Sequence, residues 1–218
     1  MIPRRFFVRT SARTATPSPG ACLSRSSVPR PPGTRGSTRW RGGVRYNSRM
    51  AVFEPLFKAL NDGGVRYVVV GGLAVVLHGY PRMTVDVDLV VDLDEDQATK
   101  AIDVLVATGL HARIPVNPRD FANRSVREGW MRQRGMQVFS MFDPLNPMRA
   151  VDLFVSYPVP FEDLWSRSEA FDLRGIKVRV ASISDLITMK RLAGRVQDLA
   201  DIEKLKAIMR AKKKLKDG

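Results

Sequence analysis

One cysteine and two histidines in 218 residues leave little room for several chemistries. Cys22 stands alone near the N-terminus, so the remainder of the chain can form neither a disulfide nor a thiolate metal site. A reducing, cytoplasmic setting is the default for such a chain. His78 and His111 are too few and too far apart in sequence to suggest zinc. No run of about 18 apolar residues occurs, so no transmembrane helix and no membrane partner are expected. Acidic residues are also missing, but only locally. Residues 1–49 contain eleven Arg and no Asp, Glu or Lys. The other 25 Lys and Arg lie beyond that stretch with all 22 Asp and Glu, so residues 50–218 carry only +3 of the +14 total. The global charge is therefore a weak argument for nucleic acid.

The first 49 residues are rich in Ser, Pro, Gly and Thr and show no apolar periodicity, so they are expected to be disordered. Arg-rich, Ser-rich and acid-free is the composition of an organelle transit segment. The rival reading makes Met50 the true start, because Met50-Ala-Val-Phe-Glu-Pro-Leu-Phe57 opens the first patterned segment. Nothing downstream looks organellar, which favours a misassigned start or a dispensable tail. The folded part is then about 170 residues, the size of one domain.

What is present centres on Val68 to Asp92. Three β-branched residues, Val68, Val69 and Val70, run straight into Gly71-Gly72, where the chain must turn tightly or let a ligand approach. Leu73 to Leu77 make an apolar helical turn that Gly79-Tyr80-Pro81 ends. On the following strand Asp86 and Asp88 leave from one face, while Val85, Val87 and Leu89 point into a core. Two adjacent carboxylates repel each other, and a metal cation is a common reason for keeping them together.

Around this stretch the pattern predicts a helix through Phe53, Leu56, Phe57 and Leu60, closed by Asn61-Asp-Gly-Gly64. A second helix starts in the acids of Leu93–Gln97 and ends at Thr108-Gly109; a third runs from Asn117 to about Arg127. Met136–Phe142 and Ala150–Val155 read as strands joined by a turn at Asp143–Pro147, a β-hairpin. Phe161–Ser168 is a short helix, and Ile176–Val180 an edge-like strand with Lys177 and Arg179 alternating. Ser182-Ile-Ser-Asp185 caps a helix to about Leu192, Gly194 breaks it, and Gln197–Lys213 forms the last helix. The reading is an α/β (α+β) core at 50–181, a short mixed sheet flanked by helices, followed by a small helical segment at 182–218.

Asp152 lies inside the apolar run Ala150–Val155, where an acid is costly unless it faces solvent or a cation. If its strand neighbours that of Asp86 and Asp88, three carboxylates share one side of the sheet. Such a set can hold two Mg²⁺ ions about 3.5–4 Å apart and serve an in-line phosphoryl or nucleotidyl displacement. Taken singly, each Asp is better explained by a wet sheet face or a strand end. The combination with Gly71-Gly72 favours a site. His78 reads as a local helix cap and His111 as surface. Arg82 could reach a phosphate or pair with a carboxylate. Trp130, Met131 and Met136 read as packing. The basic end from Lys204 to Lys216 reads first as a solvated helix and, more sharply, as an RNA-backbone contact.

Gly71-Gly72, Arg82-x-Thr84-x-Asp86-x-Asp88 and the later Asp152 resemble the DNA polymerase β-like nucleotidyltransferase superfamily. Asp185–Leu205 resembles the region that follows the core in AbiEii-type proteins, which include toxins of bacterial toxin–antitoxin pairs. The resemblance covers most of residues 64–206. It implies Mg²⁺-dependent transfer of a nucleoside monophosphate from an NTP to a hydroxyl, with release of pyrophosphate. The implied acceptor is RNA, tRNA first, with a cognate antitoxin as a further partner. A small molecule of aminoglycoside type is the alternative acceptor, and an idle nucleotide- or RNA-binding module the alternative class. It further implies that Asp86 and Asp88 ligate both ions and that Asp152 completes the catalytic metal site. Gly71 and Gly72 would admit the triphosphate to backbone amides and the following helix N-terminus. Lys190 would neutralise β- and γ-phosphate charge, while Asp198 and Asp201 match acidic positions whose role is open. Many members carry Gly-Ser where this chain has Gly71-Gly72.

Overall fold

The structure, a computed structural model, describes residues 48–84 and 86–215, without the side chains of residues 48–50 and 147. The disordered tail expected at 1–49, Cys22 included, lies outside these residues except for Ser48 and Arg49. Those two open a 3-10 turn that leads to Phe53. The first helix, α1 (Glu54–Asp62), buries Leu56, Phe57 and Leu60 at the expected spacing. It leads into β1 (Tyr67–Val70), α2 (Gly71–Leu77) and β2 (Asp86–Val91). Next come α3 (Glu95–Ala107), a two-residue β3 (His111–Ala112) and a 3-10 turn at Pro118–Ala122. Then follow α4 (Arg124–Arg134) and the hairpin of β4 (Val138–Asp143) and β5 (Asn146–Phe154). The chain ends through α5 (Phe161–Arg167), β6 (Glu169–Leu173), β7 (Ile176–Val180), α6 (Ile183–Ala193) and α7 (Val196–Lys214).

The strands form one mixed sheet in the order β3-β4-β5-β2-β1-β7-β6. β1 runs antiparallel to β2, whereas β2–β5 and β1–β7 are parallel pairs. The fold class is therefore the expected mixed α/β arrangement. Two elements differ from the sequence reading. Ile176–Val180 is an interior strand, because Glu169–Leu173 pairs outside it and is the true edge. That edge was hidden by its weak alternation; the Arg174-Gly175 turn, with both residues at positive φ, makes the hairpin. The helix expected from Asn117 is broken in two. The Asn117 side chain accepts from Arg119 N at 3.1 Å, and Asn123 restarts the helix by accepting from Val126 N at 3.2 Å. α4 then continues to a left-handed Gly135 at φ 61°.

One face of the sheet is closed along its length. Tyr67, Val69, Val87, Leu89, Phe139, Met141, Val151 and Leu153 are all buried there. Tyr67 stacks on Phe57 of α1, and Phe139 stacks on Trp130 of α4 at 5.3 Å, so Trp130 is core as expected. The opposite face is covered only in part. Val68, Val70 and Val90 are buried on it, while β4 alternates between half-exposed and buried residues. Among the described residues no helix is long and apolar enough to cross a membrane.

Candidate active site

β2 and β5 are neighbours, and their register sets Asp86 opposite Ala150 and Asp88 opposite Asp152. Paired residues in a sheet project to the same side, so Asp86, Asp88 and Asp152 share the partly open face. Val87, Leu89, Val151 and Leu153 anchor both strands in the core beneath. The three acids are thus displayed by two strands that hydrophobic burial holds in register.

β1 delivers the turn to the same place. Val70 pairs with Asp88, and the next residue, Gly71, has φ 61°. A Cβ at position 71 would stand 1.8 Å from Asp88 Oδ2, so glycine is required by both conformation and space. Gly72 N–H donates to that same carboxylate oxygen at 3.3 Å. A Cβ at 72 would meet Thr84 Oγ1 at 2.8 Å and an Arg82 guanidinium nitrogen at 3.2 Å. The second glycine is therefore explained by the Arg82–Thr84 loop lying against it. Thr84 itself is a site residue that sequence reasoning quoted without a role. Its hydroxyl donates toward Asp86, 3.1 Å from Oδ1 and 3.2 Å from the carbonyl oxygen. Its place two residues before Asp86 was the available signal.

Burial raises the Asp88 carboxyl to about 6, with further upward pressure from Asp86 and then Asp152. The Gly72 amide and the positive charge of Lys190 act in the opposite direction. The face therefore concentrates more negative charge than its own hydrogen bonds relieve. Its donors are hard carboxylate oxygens, the set that suits Mg²⁺ and excludes soft metals. Among the described residues, no three His, Cys, Asp or Glu side chains close around one point as an assembled cage would. Asp88 is turned to the Gly72 amide instead. On the chemistry of the donors and the unrelieved charge, the residues fit a divalent cation.

Lys190, the residue implied to neutralise phosphate charge, is held by two carboxylates in this structure. It is 7% exposed, and its ammonium donates to Asp198 Oδ1 at 3.0 Å and Asp201 Oδ2 at 2.6 Å. Asp201 also accepts from Arg82 Nη1, which answers whether Arg82 pairs with a carboxylate. Asp198 in turn accepts from the Arg195 backbone N–H through Oδ2 at 3.3 Å. The open roles of Asp198 and Asp201 are thus filled by a buried ionic cluster that ties α6 and α7 to the loop over Gly72. The charge of Lys190 still reaches Asp88.

His78 lies apart from this chemistry. As the C-cap of α2 it donates from Nε2 to the Ala181 carbonyl at 2.8 Å, and Nδ1 accepts from Lys212 at 3.3 Å. Burial lowers its affinity for a proton, so it is held neutral. His111 is exposed on β3, as expected.

Similar solved structures include an antigenic nucleotidyltransferase-like protein from Paracoccidioides brasiliensis. It is 22% identical, with a TM-score of 0.48, covering 75% of this chain and 76% of that one. The lincosamide antibiotic adenylyltransferase LnuA with lincomycin bound is 17% identical, with a TM-score of 0.46, covering 75% of this chain and 98% of that one. ANT(2″)-Ia in complex with adenylyl-2″-tobramycin is 12% identical, with a TM-score of 0.47, covering 76% and 97%. No curated protein matches the chain by sequence. The family described as "Nucleotidyltransferase of unknown function" (DUF6036) matches residues 50–212, which include the glycine turn, the three aspartates and the ionic cluster, and the chain belongs to it.

Proposed function

We propose that this nucleotidyltransferase transfers a nucleoside monophosphate from an NTP to a hydroxyl of an RNA acceptor, releasing pyrophosphate. The observation that carries the reading is the placement of Asp152 beside Asp88 on adjacent strands, against a glycine turn where a Cβ at position 71 would strike the Asp88 carboxylate. Asp86, Asp88 and Asp152 would hold divalent cations of the Mg²⁺ type, which supply neutralisation of phosphate charge and activation of the attacking hydroxyl. The chain's own residues account for the rest. Gly71 and Gly72 leave the backbone bare, so phosphate oxygens can approach amides that side chains would otherwise screen. Arg82, held by Asp201 against Gly72, presents a fixed guanidinium beside that turn. Thr84 fixes the orientation of Asp86. Asp152 is the residue best placed to accept the proton of an incoming hydroxyl, because no side-chain hydrogen bond ties it elsewhere among those described.

The test is transfer of label from α-labelled NTPs to total RNA and, separately, to a small-molecule panel that includes aminoglycosides, with and without Mg²⁺. Label in RNA that is lost in Asp86→Asn and Asp152→Asn supports the reading. Label confined to the small-molecule fraction replaces the acceptor, and Mg²⁺-dependent NTP binding without transfer replaces the enzyme by an idle binding module. A toxin–antitoxin role of AbiEii type predicts growth arrest on expression that Asp152→Asn relieves; harmless expression of active protein contradicts it.

A further inference from the structure

The carboxylates occupy only the middle of their sheet face, and among the described residues the part of that face beyond them, over β5, β4 and β3, is half-exposed. Register places Ser140 beside Asp152, Phe142 beside Ala150, and His111 beside Phe142, all on the side of Asp86 and Asp88. The residues between them, Phe139, Met141, Val151 and Leu153, are buried on the other side. Phe142 is half-exposed and stands diagonal to Asp152 across the β4–β5 ladder, a separation of about 7–8 Å between side chains. Arg113 follows β3 and lays its guanidinium over the Phe142 ring at 5.1 Å.

We infer that this open face is the acceptor platform, and that the Phe142–Arg113 pair stacks the terminal base of a single-stranded RNA end whose hydroxyl is presented to Asp152. The inference rests on the proposed nucleotidyl transfer and names the subsite that would select the acceptor. Two observations favour RNA over the other occupants. First, the face is continuous with the three aspartates, so a group stacked on Phe142 lies within one nucleoside of them. Second, beyond the three aspartates the charge that the face presents is positive rather than negative. Arg113 is exposed on it, and Asp143, the nearby acid of β4, is neutralised by Arg149 at 2.7 Å. An aminoglycoside would find the three aspartates of the site and, among the described residues of β3, β4 and β5 on that face, no further acid. An aromatic ring paired with a planar guanidinium is, in contrast, a recurrent surface for unstacked bases.

The experiment compares the full chain with Phe142→Ala, Arg113→Ala and Phe142→Trp, using a fluorescein-labelled single-stranded RNA of about ten nucleotides. Anisotropy gives Kd without NTP, and the transfer assay gives KM for RNA and for NTP separately. The expected result is a rise of roughly tenfold or more in Kd and in the RNA KM for both alanine variants. Phe142→Trp should stay near wild type, with the NTP KM unchanged throughout. Thermal midpoints close to wild type would show that each variant is folded. Unchanged RNA affinity in both alanine variants overturns the platform while leaving transfer intact. Wild-type protein that binds an aminoglycoside but not this RNA, or that dimerises through this face in a Phe142-dependent way, also overturns it. If no acceptor is labelled at all, nucleotidyl transfer fails, and the binding comparison alone still decides the platform.

Discussion

At the scale of single residues, the turn after β1 is the most constrained point of the chain. Gly71→Ala places a Cβ on the Asp88 carboxylate and forces φ 61° on an L-residue, a strain of about 1–2 kcal/mol before the clash is counted. It should lower the thermal midpoint and abolish transfer together. Gly72→Ser is subtler, because it installs the Gly-Ser pair common in the superfamily. Here the new Cβ meets Thr84 Oγ1 at 2.8 Å, so the variant should lose stability and regain it when combined with Thr84→Ala. A melt series on the three proteins checks this; equal losses in the single and double variants would refute it.

Asp88 makes a second residue-level prediction. Its folded-state value of about 6 exceeds the unfolded 3.8, so the native state binds more protons between roughly pH 4 and 6. Its contribution to stability is therefore favourable at low pH, and falls away as pH rises through 6. In chelator, Asp88→Asn should gain on wild type by up to about 3 kcal/mol as pH rises from below 4 to above 6, at 1.36 kcal/mol per unit over about two units, and no further above that. His78, lowered by burial, acts with the opposite sign, stabilising above 6.5 and less below it, but equally in both proteins. A difference in unfolding free energy that is flat across this range would contradict the account.

At the scale of elements, strands and helices with strong periodicity were legible from sequence, and so was the turn between β1 and α2. The neighbourhood of β2 and β5 was not, since nothing local in Asp86–Val91 or Ala150–Phe154 specifies which strands pair. β6 escaped because Glu169-Ala-Phe-Asp-Leu173 alternates weakly, and its partner was then mistaken for the edge. Asp86, Asp88 and Asp152 were readable as acids out of place in apolar runs. Thr84, Phe142 and Arg113 were not, because threonine, phenylalanine and arginine have bland explanations until the sheet assembles them. Lys190 was readable as a phosphate ligand, but its pairing with Asp198 and Asp201 was not, because no local pattern specifies contacts between α6 and α7. Removing that cation leaves Asp198 without a counter-ion and Asp201 with Arg82 alone, so Lys190→Met should cost about 3–5 kcal/mol. Adding Asp198→Asn and Asp201→Asn should return part of the loss, and denaturant titration of the single and triple variants measures it.

For the whole molecule, charge and function separate along the chain. The eleven arginines of residues 1–49 give the protein most of its net charge, while the matched family region begins at residue 50. Deleting residues 1–49 should flatten the salt dependence of non-specific RNA binding, whose slope follows the number of phosphates neutralised. It should leave transfer kinetics near those of the full chain. The central claim is that Asp86, Asp88 and Asp152 act as one catalytic face. The most direct measurement is the rate of Mg²⁺-dependent label transfer from α-labelled NTP to RNA by wild type and Asp152→Asn, with matched thermal midpoints. The account predicts a loss of at least a hundredfold in the variant, on the order of 3 kcal/mol in barrier height. Transfer by folded Asp152→Asn at the wild-type rate would contradict it.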